Sequence, residues 1–174
     1  MFAPDIEIRS FQSEDSPVFR LLNEAWITKY FSLENEDRLT LGNPEERILK
    51  PGGHIFMAIA NNKCIGCCAL ILLGPGLFEV AKMAVAEEHQ GRGIGRKMLE
   101  YTIAQAKALG ARTLFLGSNT RLREAIHLYE SAGFRHLPPE RVPSSPYERA
   151  NVFMELHLEA GGPEPSCGPA PPVS

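Results

Sequence analysis

Hydrophobic and polar positions change period several times along these 174 residues, and each period names an element. Between residues 5 and 11, Ile6 and Ile8 alternate with Glu7 and Arg9, the period of a strand. Ser13 and Asp15 then offer helix caps and Pro17 suits a first helical turn. Val18, Leu21, Leu22, Ala25 and Trp26 follow at helical spacing. A second helical stretch is expected over 33–41 and 45–50, broken by Gly42-Asn43-Pro44. Residues 55–60, 64–73 and 77–85 read as three meander strands, separated by Asn61-Asn62-Lys63 and Gly74-Pro75-Gly76. From 93 to 110, Ile94, Met98, Leu99, Ile103, Ala106 and Leu109 share one helical face, with Arg96, Lys97, Glu100 and Lys107 opposite. Residues 113–118 form a short apolar strand, and 121–132 an amphipathic helix that Gly133 ends. Two final strands, 134–137 and 152–158, flank a proline-rich loop. This order is a mixed α/β plan in one domain, 5–159, and not the regular alternation of a doubly wound sheet. The Gly/Pro/Ser-rich tail, 160–174, is expected to be disordered.

Composition narrows the function classes. A hydrophobic content of 44% and a charged content of 22% are ordinary for a globular domain. The net charge of −3 argues against a nucleic-acid partner, which calls for a basic face. The start of the chain lacks the basic and apolar segments of a secretory signal, and the apolar run 67–73 is too short for a membrane span. A cytoplasmic protein is expected. Cys64, Cys67 and Cys68 lack a second ligand pair, so no metal is expected and reduced, packed thiols are. In a strand, Cys64 and Cys68 share one face and Cys67 takes the other.

The densest chemistry lies at 89–97, His-Gln-Gly-Arg-Gly-Ile-Gly-Arg-Lys, between a strand and a helix. Gly91, Gly93 and Gly95 remove every Cβ from one side of the turn, so backbone N–H groups can approach a ligand. The helix that follows points its positive end there, and Arg92, Arg96 and Lys97 add charge, which together suit a polyphosphate. A dinucleotide turn is excluded because Arg96 stands where its third glycine belongs. A nucleoside-triphosphate loop is excluded because Lys97 is followed by Met98 and not by Ser or Thr.

What remains, Gln90-Gly91-Arg92-Gly93-Ile94-Gly95, resembles the acyl-coenzyme A pyrophosphate loop of the GNAT superfamily of N-acetyltransferases. The preceding strand, 78–85, and the segment Leu128-Tyr129-Glu130-Ser131-Ala132-Gly133-Phe134 resemble the family's flanking signatures. The resemblance implies a mostly antiparallel, six- to seven-stranded sheet flanked by helices, whose central parallel pair splays into a V. Acetyl-CoA would lie in that V as cosubstrate. Its pyrophosphate would rest on Gln90, Gly91, Arg92, Gly93, Ile94, Gly95, Arg96 and Lys97. Its pantetheine arm would pair with bulged main chain at Met83, Ala84 and Val85 and would meet Asn119. The family's frequent asparagine seven residues before the tyrosine is Leu122 here, which puts more weight on Asn119.

By the same resemblance, Glu79 is the candidate base for the amine and Tyr129 the candidate acid for the leaving thiolate, beside the cofactor. The alternatives are a solvated or ion-paired carboxylate, with Lys82 or an arginine as partner, and a tyrosine that only packs. In an unbroken strand, Glu79, Ala81, Met83 and Val85 share a face. Trp26, Tyr30, Phe31, Glu34, Glu36 and Asp37, with Tyr147, Glu148, Arg149 and Asn151, are the residues from which the acceptor pocket would be shaped, although they equally suit a packed helix with solvated charges. Direct transfer to an amine-bearing small molecule or peptide is the leading reading, and a homodimer is compatible with it. A CoA-binding regulatory or structural protein without turnover is the alternative. A covalent route through Cys67 or Cys68, with His54 as base, is a third.

Overall fold

A computed structural model describes residues 5–158 of the chain. The tail expected to be disordered, with Cys167, lies outside the described residues. Strand β1 (Glu7–Ser10) leads into helices α1 (Ser16–Tyr30) and α2 (Asn35–Gly42), and then the meander β2 (His54–Ala60), β3 (Lys63–Gly74) and β4 (Leu77–Val85). Helix α3 (Ile94–Ala108), strand β5 (Thr113–Ser118), helix α4 (Arg123–Ser131), and strands β6 (Arg135–His136) and β7 (Val152–His157) complete it. The seven strands form one sheet in the order β1-β2-β3-β4-β5-β7-β6. Among the described residues, only β4 and β5 pair in parallel, so the mixed, mostly antiparallel sheet expected from the sequence is the one found.

Each face of the sheet is buried against helices. Phe19 and Ile27 of α1 and Leu41 of α2 pack with Ile55, Met57, Cys67, Ala69 and Ala84 on one face. Ile94, Met98, Leu99 and Ala106 of α3 pack with Phe56, Cys68, Leu70, Val80 and Leu114 on the other. Such burial is worth about 1.5–3 kcal/mol for each large side chain, before entropy is subtracted.

Two irregularities shape the site. The β4–β5 ladder runs from Leu77↔Thr113 to Glu79↔Phe115 and then stops, while β5 stays paired with β7 through Ser118↔Val152. Beyond Glu79 the two central strands therefore part. In the β3–β4 ladder, the register moves from Ala69↔Ala81 to Cys67↔Ala84, which leaves Lys82 and Met83 opposite Cys68 alone. Lys82 takes φ +53°, a left-handed conformation unusual for a side chain with a Cβ.

The bulge corrects one expectation. Met83 and Val85 pack with Phe78 and Val80 on the α3 face, whereas Glu79 alternates to the α1 face. A second register shift, between Ala58 and Ile59 of β2, places Cys64 beside Cys67 on the α1 face, with Cys68 on the other. That reverses the pairing of faces expected for an unbroken strand. The stretch at 45–50 is one wide turn, closed by the Lys50 N–H donating to the Glu45 carbonyl at 2.8 Å. The strand expected at 134–137 shrinks to Arg135–His136. Among the described residues, no helix is long and apolar enough to cross a membrane. No group of three or more His, Cys, Asp or Glu among them could hold a metal ion.

Candidate active site

The parting of β4 and β5 opens a cleft with two chambers that meet at Trp26, Met83 and Leu122. The first, of about 430 Å³, is lined by Met83, Ala84, Val85, Gln90, Gly91, Gly93, Ile94 and Gly95 on one side and by the start of α4 on the other. Gly91 and Gly93 hold φ of +77° and +78°, and a Cβ added to either would meet nothing within 4 Å. The glycines are thus required by backbone conformation and leave open space above it. No side chain caps the first turn of α3, so its leading N–H groups face the chamber without intrahelical partners. Such a cradle fits an anionic, phosphate-bearing ligand. Gln90 does not point into it freely, because its side-chain amide donates to the Val85 carbonyl at 3.0 Å and ties loop to strand.

The charged residues divide differently from expectation. Arg96 borders a separate shallow cavity between α3 and α4, with Leu99, Ile103 and Leu128. Arg92 and Lys97 are exposed and do not line the cleft. Arg121 and Arg123, which are not among the site residues expected from the sequence, do line it. Arg121 donates to the Tyr30 carbonyl at 3.0 Å and lies 5.2 Å from the centroid of the Phe31 ring, bridging the ends of α1 and α4. His89 lines it too, and its Nδ1 is the one buried side-chain polar atom without a hydrogen-bond partner among the described residues. The available signal was the arginine pair just before the apolar stripe of α4, and a histidine adjoining the glycine loop.

The second chamber, of about 330 Å³, holds Glu79 and Tyr129. They approach from opposite faces of the sheet, Glu79 from β4 on the α1 face and Tyr129 from α4 on the α3 face. The Glu79 carboxylate has no hydrogen bond or ion pair among the described residues. Burial raises its carboxyl above the usual range, and the Lys82 charge opposes that only in part. Lys82 is committed elsewhere: its Nζ donates to Asp37 at 3.1 Å and to the Tyr147 hydroxyl at 2.9 Å. The Tyr129 hydroxyl likewise has no partner among the described residues. Its ring packs edge-on against Phe134 at 6.0 Å, and burial pushes its pKa upward, with Cys68 adding to the effect. The phenol is therefore protonated throughout the neutral range.

Asn119 lines this chamber but is occupied. Its amide donates to the Arg149 carbonyl at 2.6 Å, and its oxygen accepts the Arg121 N–H at 2.8 Å. Arg149 in turn clamps Asp37 with bonds of 2.6 and 2.7 Å and reaches Glu34 at 3.0 Å. Trp26, Phe31, Tyr147 and Arg149 border this chamber, whereas Tyr30 borders the other. Glu36 pairs with Arg47, and the Asn151 side-chain Oδ1 accepts the Thr120 N–H. Cys67 and Cys68 are fully buried, and burial pushes the Cys68 thiol up to about 12 and that of Cys67 higher still. His54, at the start of β2, registers against Leu70 and stacks on Phe56, whereas Cys67 registers against Met57.

Known proteins resemble this chain in sequence and fold. The model of the acetyltransferase (GNAT) family matches residues 16–134. The chain is 27% identical over 160 residues to an IAA acetyltransferase of Azospirillum brasilense, covering 89% of this chain and 99% of that one. It is 30% identical over 102 residues to the N-acetyltransferase YvbK of Bacillus subtilis, covering 57% and 66% respectively. Among solved structures, a GNAT acetyltransferase from Staphylococcus aureus Mu50 has a TM-score of 0.81 at 23% identity, covering 89% of this chain and all of that one. The yncA protein of Salmonella typhimurium, solved with its cofactor acetyl-CoA, has a TM-score of 0.68 at 19% identity, covering 93% and 99%. At these identities the structural likeness is one of fold.

Proposed function

The chain belongs to the acetyltransferase (GNAT) family, and from that premise we propose that it moves the acetyl group of acetyl-CoA directly to a primary amine in a ternary complex. Acetyl-CoA supplies, when bound, an acyl carbon activated as a thioester. The glycine cradle and the open edge of β4 would hold its pyrophosphate and pantetheine, with Arg121, Arg123 and His89 beside them. The observation that carries the reading is Glu79: a carboxylate without a partner, with a raised pKa, at the point where the central strands part.

Glu79 takes one proton from the incoming ammonium. The amine nitrogen then bonds to the acyl carbon, the carbon–sulfur bond breaks, and Tyr129 protonates the sulfur. The amide nitrogen's surplus proton replaces the one Tyr129 gave, and Glu79 returns its proton to solvent. Free CoA and one proton leave with the amide, so atoms and charge balance. Buried thiols with raised pKa values support direct transfer over a covalent acetyl-cysteine. The free state of Cys64, Cys67 and Cys68 supports a reducing, cytoplasmic setting.

Rate–pH profiles test the two roles. Glu79→Gln should lower kcat/KM by up to about 10²-fold near neutral pH, with the loss shrinking as pH approaches the amine's own pKa. Tyr129→Phe should leave acetyl-CoA affinity unchanged while turnover falls below the thiol pKa, near about 8.5. An identical, pH-independent loss in both variants would remove both assignments.

A further inference from the structure

The chamber that holds Glu79 says what kind of amine it accepts. Its floor is aromatic: Phe115 of β5 and Phe153 of β7 stack with centroids 6.0 Å apart and planes 15° from parallel. Gly117, which registers against Phe153 and also lines the chamber, carries no side chain, and an added Cβ would touch the Phe153 ring at 3.4 Å. Leu73, half exposed, stands among the lining residues on β3. The volume, about 330 Å³, is that of a small-molecule site.

The chamber's cations, Lys82 and Arg149, are each already paired: Lys82 with Asp37, and Arg149 with Asp37 and Glu34. Two positive and two negative groups leave that cluster neutral. Among the described residues, Glu79 is then the one unpaired charge that lines the space, and it is negative. A substrate carboxylate would find no free cation there and would be repelled by Glu79, whereas an ammonium would be drawn to it. Building on the transfer reading above, we infer that the acceptor is an arylalkylamine, a primary amine on an apolar aromatic body without a carboxylate.

A thiol-release assay on the full chain with saturating acetyl-CoA tests this with four acceptors: 2-phenylethylamine, phenylalanine, ethanolamine and a short peptide with a free amino terminus. Phenylalanine adds only the carboxylate to the first, and ethanolamine removes the ring. The expected result is a kcat/KM for 2-phenylethylamine at least about tenfold above each of the others, on the scale of burying one aromatic side chain for ethanolamine and through repulsion of the carboxylate by Glu79 for phenylalanine. Phe153→Ala should raise KM for 2-phenylethylamine by a larger factor than that for ethanolamine. Leu73→Ala, at a half-exposed position that does not threaten the fold, should do the same more weakly. Equal or better use of phenylalanine, ethanolamine or the peptide overturns the inference. So does an absence of thiol release from every amine when calorimetry shows acetyl-CoA bound, and the cofactor site then stands alone. Failure to bind acetyl-CoA at all would bring down the transfer reading and this inference with it.

Discussion

Glu79 carries a cost that can be measured without any substrate. Its folded pKa is raised by burial above the ordinary 4.5 of a glutamate, so the folded chain binds the proton more tightly than the unfolded chain does. The favourable contribution is present in full below about pH 4.5 and is lost as pH rises through the raised folded value. Glu79→Gln cannot ionise and escapes that loss. Melting curves should show Glu79→Gln above the parent at pH 7–8, with the gap closing as pH falls towards 5. A gap that stays constant with pH would mean that Glu79 is not strained by burial. At this scale the sequence was a good guide to identity and a poor one to surroundings. Glu79 and Tyr129 stood out in their motifs, yet nothing local said that Lys82 would pair with Asp37 and leave Glu79 alone. Asn119 shows the same limit, since the groups that occupy it come from Arg149 and Arg121, one of them thirty residues away.

Among the elements, the β4 bulge organises most of the site. Lys82 sits at φ +53° because the register shift opposite Cys68 demands it, and from there its side chain reaches α2 and the loop before β7. Burial alone would raise the Asp37 pKa. The Arg149 hydrogen bonds, the Glu34 N–H and the Lys82 charge outweigh it and hold the carboxyl below the usual range. Removing the lysine by two routes separates conformation from charge. Lys82→Ala and Lys82→Gly both lose the ammonium, but alanine retains a Cβ in the left-handed region. Denaturant melts should find the glycine variant more stable than the alanine variant by about 1 kcal/mol. Equal stabilities would mean that the bulge relaxes once its side chain is gone. The helices, the meander and the glycine loop were legible because period and turn chemistry are local. The bulges at Lys82 and beside Ile59 were not, because they are set by pairing with a neighbouring strand. The same missing information inverted the expected faces of Cys64 and Met83.

Across the whole molecule, function follows from one interruption in an otherwise continuous sheet. With helices on both faces of the sheet, β4 and β5 pair in parallel only over Leu77–Glu79, and the strands part where β5 continues with β7 alone. Into that gap open a chamber suited to a polyphosphate and one suited to an apolar amine, sharing Trp26, Met83 and Leu122. The claim on which everything else depends is that acetyl-CoA occupies the glycine-lined chamber. Gly95 tests it with least risk to the fold. It lies in the first turn of α3, has no positive φ, and an added Cβ would meet only the Leu128 side chain at an ordinary 3.8 Å. Calorimetric titration of acetyl-CoA into the parent and into Gly95→Val, with melting curves showing both folded, is the decisive measurement. Binding by the parent and a loss of tenfold or more, about 1.4 kcal/mol, in the variant are expected. Equal affinity in two folded proteins would contradict it.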